Sequence, residues 1–170
     1  SVITPGIGSE KLPEEKEPLD QAQYRSVAAR ANYLAQDRPD VQFAVKEACR
    51  HMANSEREDW GIIKRIGRYL LGANRLQLLM PFQKIPDKLS IWCDSDHAGC
   101  RKTRKSTSGG CVMFGAHCLK SWSSTQDVVA LSSGEAEYYA LIKGASQAIG
   151  FQNMLIDLGI SVEIEILTDA

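Results

Sequence analysis

The chain has 170 residues, of which 44% are hydrophobic and 24% charged, and its net charge is −1. That composition is ordinary for a globular protein, allows one domain or two small ones with a real core, and excludes identifying a partner from bulk charge. No apolar run approaches membrane-spanning length, and the N-terminus lacks a signal-peptide pattern, so neither a membrane protein nor a secreted one is expected.

Five cysteines, an odd number with no CxxC pair, argue against a disulfide framework and for a reducing intracellular compartment, cytoplasm or nucleus. Cys93, His97 and Cys100 are close in sequence but match no common zinc-finger spacing; buried strand cysteines and a loop histidine are the favoured reading. The start at a residue other than Met and the stop at Ala170 suggest a piece of a longer reading frame.

Residues 1–19, with Pro5, Pro13 and Pro18 and a Glu/Lys cluster, read as a linker or irregular arm. Three helical patterns follow. The first covers about 20–36, with Tyr24, Val27, Ala28, Ala31 and Leu34 at helical spacing. Asp37-Arg38-Pro39-Asp40 ends it and opens the second, about 40–53, with Val41, Phe43, Ala44, Ala48 and Met52 inward. Ser55-Glu56-Arg57-Glu58 reads as a capping box for the third, which ends near Gly72. Ile62, Ile63, Ile66, Tyr69 and Leu70 form its expected buried side. Residues 76–83 read as a short strand or an extended connector.

After Pro86 the period changes to two. Leu89, Ile91 and Cys93 alternate with Ser90, Trp92 and Asp94 as in a strand. A polar, basic loop occupies 97–108. Cys111–Gly115 and Cys118–Trp122 read as two strands of a hairpin turning at Gly115-Ala116-His117. A helix covers about 133–150, and its pattern carries on over 151–158 until Gly159. Residues 161–168 form a last strand. The class is therefore mixed α/β. A right-handed crossover through the helix places the last strand parallel to the first, which brings Asp94 and Asp169 to neighbouring strand ends and carries Glu137 over the same edge.

Asp94, Glu137 and Asp169 are the candidate catalytic and metal-ligating residues. Clustered carboxylates repel, so a protein brings them together chiefly around a cation. Hard oxygen donors suit magnesium or manganese, and two such ions support phosphodiester hydrolysis. Asp96 and Glu135 are second choices. Glu135 falls at the third helical position of a capping-box pattern, Ser132-Ser133-Gly134-Glu135, which leaves Glu137 without a local role. Arg101, Lys102, Arg104 and Lys105, followed by three hydroxyl groups, suit phosphate contacts. Lys64 and Arg68 on the third helix join them, with a solvated face as the alternative. Trp60, Trp92 and Trp122 are expected to pack rather than to stack on bases.

The stretches Cys93-Asp94-Ser95-Asp96-His97-Ala98-Gly99, Arg104-Lys105-Ser106-Thr107-Ser108-Gly109, Ser121-Trp122 and Val129-Ala130-Leu131-Ser132-Ser133-Gly134-Glu135-Ala136-Glu137-Tyr138 resemble the ribonuclease H region of copia-type retrotransposon Pol polyproteins. Upstream, Tyr24-Arg25-Ser26, Tyr33-Leu34, Arg38-Pro39-Asp40-Val41, Trp60 and Arg68-Tyr69-Leu70-Leu71-Gly72 resemble the stretch that follows the reverse transcriptase palm. The resemblance implies a three-helix thumb or connection segment over 20–83 and an incomplete ribonuclease H-like domain over 88–170, with three antiparallel strands, a helix and a parallel fourth strand. It also implies metal-dependent cleavage of the RNA strand of an RNA–DNA hybrid, with two Mg2+ or Mn2+ ions held by Asp94, Glu137 and Asp169.

The sequence departs from the family pattern at His97, usually Trp, at Gly110, usually aromatic, and at Ala29, often Gly. The family continues beyond this point with more helix and strand and a fourth acidic residue. The expectation here is thus an exposed edge strand and a site of three acids. An inactive relic with weak nucleic-acid binding is the alternative reading.

Overall fold

In a computed structural model, which describes residues 2–6, 20–100 and 102–169, the first unit of the chain (Ser1–Gln77) is helical and the second (Leu78–Ala170) is built on a sheet. Most of the expected linker, 7–19, lies outside the described residues. No helix among the described residues is long and apolar enough to cross a membrane.

In the first unit, Asp20 starts helix α1 (Gln21–Leu34), its carboxylate accepting the free N–H groups of Ala22 and Gln23 at 2.9 and 3.1 Å. A single 3₁₀ turn (Pro39–Val41) leads into α2 (Gln42–Arg50). Val41, Ala44, Val45 and Ala48 are its buried residues, which is the i, i+3, i+4, i+7 pattern counted from Val41. Phe43 does not fit that phase and is 46% exposed, with the Lys46 ammonium 4.7 Å from its ring centre. Leu34, also expected inward, is exposed at the end of α1.

The third helix, α3, runs Asp59–Gly72, three residues later than the expected capping box places it. Asp59 takes over that role. Its carboxylate accepts the Glu56 N–H at 2.6 Å, and its other oxygen lies 2.9 Å from His51 Nδ1. The Ser55 hydroxyl is buried without a hydrogen-bond partner.

Tyr24 centres this unit. Its ring is fully buried and meets Trp60 edge-on, centroids 5.7 Å apart at 89°. Its hydroxyl donates to the Ala48 carbonyl at 2.8 Å, and burial pushes its pKa well above that of a free phenol. A second tie closes the far side. The Arg38 guanidinium forks onto Asp40 (2.9 and 2.7 Å) and also donates to the Ala73 carbonyl (2.9 Å), while the Tyr69 hydroxyl donates to Asp40 (2.8 Å). Arg65 anchors residues 4–6 to α3 through Thr4 and the Gly6 carbonyl.

The segment 74–86 has no regular structure, so the connector alternative holds. In the second unit it is fastened by Gln83, whose amide oxygen accepts the Ala116 N–H (2.9 Å) and whose nitrogen donates to the Phe114 carbonyl (2.8 Å). Beyond it come β1 (Lys88–Asp96), β2 (Thr107–Phe114), β3 (His117–Thr125), α4 (Ser133–Asp157) and β4 (Glu163–Leu167). The sheet order is β3-β2-β1-β4. β1–β2 and β2–β3 are antiparallel and β1–β4 is parallel.

Leu89, Ile91, Cys93 and Val112 face the helix and pack with Ala148 and Leu155. At Gly144, α4 lies directly against β1. A Cβ there would overlap Cys93 Sγ and come within 3.1 Å of Ile91 Cγ2. A Cβ on Gly110 would likewise overlap the Trp122 ring, so the indole fills the space where an aromatic at 110 would sit. Trp60 and Trp122 pack as expected, but Trp92 is 54% exposed, because strand alternation turns it to the face opposite α4. α4 is one continuous helix. Its end is a Schellman motif, with Gly159 at φ +77°, its N–H on the Ile156 carbonyl (2.8 Å) and Ile160 N–H on the Leu155 carbonyl (2.9 Å). Among the described residues no disulfide joins any of the five cysteines.

Gly144→Ala is expected to destabilise the second unit by about 1–3 kcal/mol through overpacking, as read by urea denaturation. The Arg38 hydrogen bonds hold the Asp40 carboxyl below the usual carboxylate range. The stability this contributes is complete above about pH 4, the free Asp value, and is lost as pH falls through the lower folded value. Asp40→Asn should therefore lower denaturation midpoints at pH 7, and its difference from the native chain should shrink below pH ~4.

Candidate metal centre

The parallel β1–β4 ladder runs from Lys88↔Glu163 to Trp92↔Leu167. The same offset carried two residues further sets Asp94 beside Asp169, both at the carboxyl ends of their strands. Glu137 reaches this edge from the first turns of α4, whose start is fixed by Ser132. The Ser132 hydroxyl accepts the Glu135 N–H at 3.1 Å, and the Glu135 carboxylate accepts the Leu131 N–H at 2.7 Å. Glu135 is thereby engaged at the helix start, and Glu137 projects one residue pair further.

Asp94, Glu137 and Asp169 each offer an oxygen within 4.8 Å of the others. Glu137 is the half-buried member and the two aspartates are exposed. The Ser95 hydroxyl donates to Glu137 Oε1 at 2.6 Å, and Glu137 Oε2 is buried with no hydrogen-bond partner among the described residues. Among the described residues, no basic side chain forms an ion pair with any of the three. Unscreened like charges at this separation repel. A buried carboxylate oxygen without a donor also carries a desolvation cost. Both features fit a divalent cation, and an all-oxygen donor set fits magnesium or manganese.

The second-choice residues stand apart. The Asp96 carboxylate is turned onto Gly99, in the space a Cβ there would take. Cys93, His97 and Cys100 form no ligand group among the described residues. Cys93 lies in the core against α4, its thiol pushed up by burial. His97 faces the Ala130 carbonyl.

In the basic loop, Arg101 lies outside the described residues. Lys102 and Arg104 are exposed and Lys105 is half-buried. The loop is shaped by Ala98 and Arg104 at positive φ (53° and 57°) and by the Arg104 N–H on the Cys100 carbonyl at 2.7 Å. Lys64 and Arg68 are exposed on α3 of the first unit.

Two polar residues with no expected role stand close to the centre. Ser95 lies between two acids, and its inward parity on β1 was the available signal. Gln126 is buried between β2 and α4, and nothing local in the sequence marks it.

No protein-family model matches the sequence. The chain is similar to the uncharacterized mitochondrial protein AtMg00810 of Arabidopsis thaliana, 37% identical over 131 residues, which is 75% of this chain and 53% of that protein. It is also similar to two retrovirus-related Pol polyproteins of Arabidopsis thaliana. The one from transposon RE2 is 34% identical over 84% of this chain and 10% of the polyprotein, and the one from transposon RE1 is 35% identical over 94% and 11%. The chain thus spans about half of the first relative and about a tenth of each polyprotein. Over most of its length the chain is therefore similar to retrovirus-related Pol polyproteins of transposons, consistent with the copia type that its motifs resemble.

Proposed function

We propose that this chain is the ribonuclease H portion of a copia-like Pol polyprotein, hydrolysing the RNA strand of an RNA–DNA hybrid. Residues 20–83 are assigned to the thumb or connection segment and 88–170 to the ribonuclease H-like domain. The observation that supports this reading most is the meeting of Asp94, Glu137 and Asp169 within 4.8 Å at the ends of β1 and β4 and the start of α4. A meander of three antiparallel strands, then a helix, then a strand parallel to the first is the architecture that the resemblance implies.

Asp94, Glu137 and Asp169 would hold two Mg2+ or Mn2+ ions. Such ions supply activation of a water and stabilisation of the leaving oxygen in phosphodiester hydrolysis. The chain's own contribution is placement. Ser95 holds one Glu137 oxygen, so the other is aimed without a competing donor. Asp94 is held within β1 by its pairing opposite Gly109, and Asp169 follows the last β1–β4 pair, Trp92↔Leu167, by two residues. Lys102, Arg104 and Lys105, with Arg101, are assigned to the hybrid's phosphates, where each neutralised charge adds to the salt dependence of binding. Lys64 and Arg68 are assigned as phosphate contacts of the helical unit.

Manganese should raise the melting temperature of the native chain, since a ligand that binds only the folded state stabilises it by about 2.7 kcal/mol at a hundred times its Kd. Asp94→Asn should abolish that rise; an unchanged rise would remove Asp94 from the centre. With a labelled hybrid, magnesium-dependent cleavage should appear on the RNA strand alone. It should fall more than about a hundredfold in Asp94→Asn and Glu137→Gln, because even groups behind metal ligands are worth about 10–100-fold. A chain that binds hybrid and manganese but cuts neither strand would instead support the inactive relic.

A further inference from the structure

The structure points to Gln126 as a positioning residue, one that holds Glu137 at the mouth of the candidate centre without touching a ligand; we infer this on the metal reading given above. Gln126 is 7% exposed. Its side-chain nitrogen donates to Ser108 Oγ on β2 and to the Ala136 carbonyl on α4, both at 2.9 Å. Ala136 immediately precedes Glu137. The main-chain N–H of Gln126 donates to the Ser106 carbonyl at 2.8 Å. Ser106 is fully buried, and its hydroxyl accepts the Ala98 N–H at 3.0 Å, where β1 gives way to the basic loop. Ser108 pairs in register with Ser95, and Ser95 donates to Glu137. The buried amide thus links the first turn of α4 to the start of β2, which is itself paired with the end of β1; the relative position of these three places sets the Asp94–Glu137 distance.

Stability alone is a poor account of a glutamine here. Its Oε1 is buried without a partner among the described residues, and an unmet buried acceptor carries a desolvation cost that an apolar side chain of similar volume avoids. The amide is also the one group at this point with two donor hydrogens. It needs both, one for the strand and one for a helix carbonyl whose ordinary partner lies further along α4. Ser108 at 2% and Ser106 at 0% exposure are of the same kind. They are small polar groups in a place where an aliphatic residue would fill space but tie nothing together.

The test uses Gln126→Met, with Leu155→Ala at the far end of α4 as a control that loses stability by cavity formation. Two quantities are read well below the melting transitions. They are Mn2+ affinity by titration and the 13C shift of the Glu137 carboxyl in the metal-free chain. Gln126→Met is expected to bind Mn2+ about tenfold more weakly, the lower end for groups that orient ligands, and to move the Glu137 shift; Leu155→Ala should do neither. If Gln126→Met does not fold, Ser108→Ala removes one of the two bonds and should move both readings in the same direction. A folded Gln126→Met with native Mn2+ affinity and an unmoved Glu137 shift makes Gln126 a core residue and overturns the inference. A native chain that takes up no Mn2+ overturns the metal reading instead, and the Glu137 shift by itself then decides the positioning role.

Discussion

The candidate centre hangs on the parallel pairing of β1 with β4. Five registered pairs, from Lys88↔Glu163 to Trp92↔Leu167, determine which residues lie side by side at the strand ends. A slip of one residue would reverse the facing of every β4 side chain. It would turn Ile164 out of the core and move Asp169 away from Asp94. The register is specified by burial, because Leu89 and Ile91 are fully enclosed beneath α4 and Ile164 packs against the same cluster. On the outer face the Lys88–Glu165 pair at 2.9 Å sits across the same two strands, but both groups are solvent-facing and such pairs contribute little. The apolar face sets the register, and the ion pair accommodates it.

The helix then has to lie close enough to the sheet for Glu137 to reach the strand ends. Ala136, Ala140, Gly144 and Ala148 recur every four residues on its buried face, so the contact surface is made of small side chains. Gly144 sits against Cys93 and Ile91, where no Cβ fits. Close approach in the middle of the helix and the Gln126 bridge at its start act together. The first sets the distance of α4 from β1, and the second sets its position along the strand direction. Ser95 completes the arrangement by occupying one oxygen of Glu137 and leaving the other unpaired.

The helical unit is held by different physics. Its core is centred on one large aromatic, Tyr24, which packs against Trp60 and has its hydroxyl satisfied by the Ala48 carbonyl of α2. Its rim is a charge network in which Arg38 satisfies Asp40 and the Ala73 carbonyl at the end of α3 at once. A buried arginine is tolerated because its donors meet a carboxylate and a carbonyl in good geometry; removing one partner would leave the other charge exposed to an apolar surrounding. The Arg38-Pro39-Asp40-Val41 stretch therefore has a structural account of its own. Pro39 opens a 3₁₀ turn, Asp40 holds the arginine, and Val41 begins the buried phase of α2.

Short-range rules carried much of this into the sequence. The period of two over 89–94 marked the first strand and its inward residues. Helical spacing and Gly159 marked α4 and its end, and the capping pattern around Ser132 separated Glu135 from Glu137. The same rules failed where another short-range device or a distant partner won. Asp59 displaced Ser55 at the head of α3, Phe43 fell outside the buried phase that Val41 opens, and Trp92 followed its strand parity into solvent. Local order is written in neighbours one to four residues apart, so the sequence by itself determined the order of the elements, most of their buried faces and the capping role that sets Glu135 apart from Glu137. The crossover rule also brought Asp94 and Asp169 to neighbouring strand ends; only the tertiary structure decided the register that sets them together, that Ser95 engages Glu137 and that Gln126 bridges Ser108 to Ala136. Those contacts join residues far apart in the chain, and they come into being only once strand register and helix packing have been set.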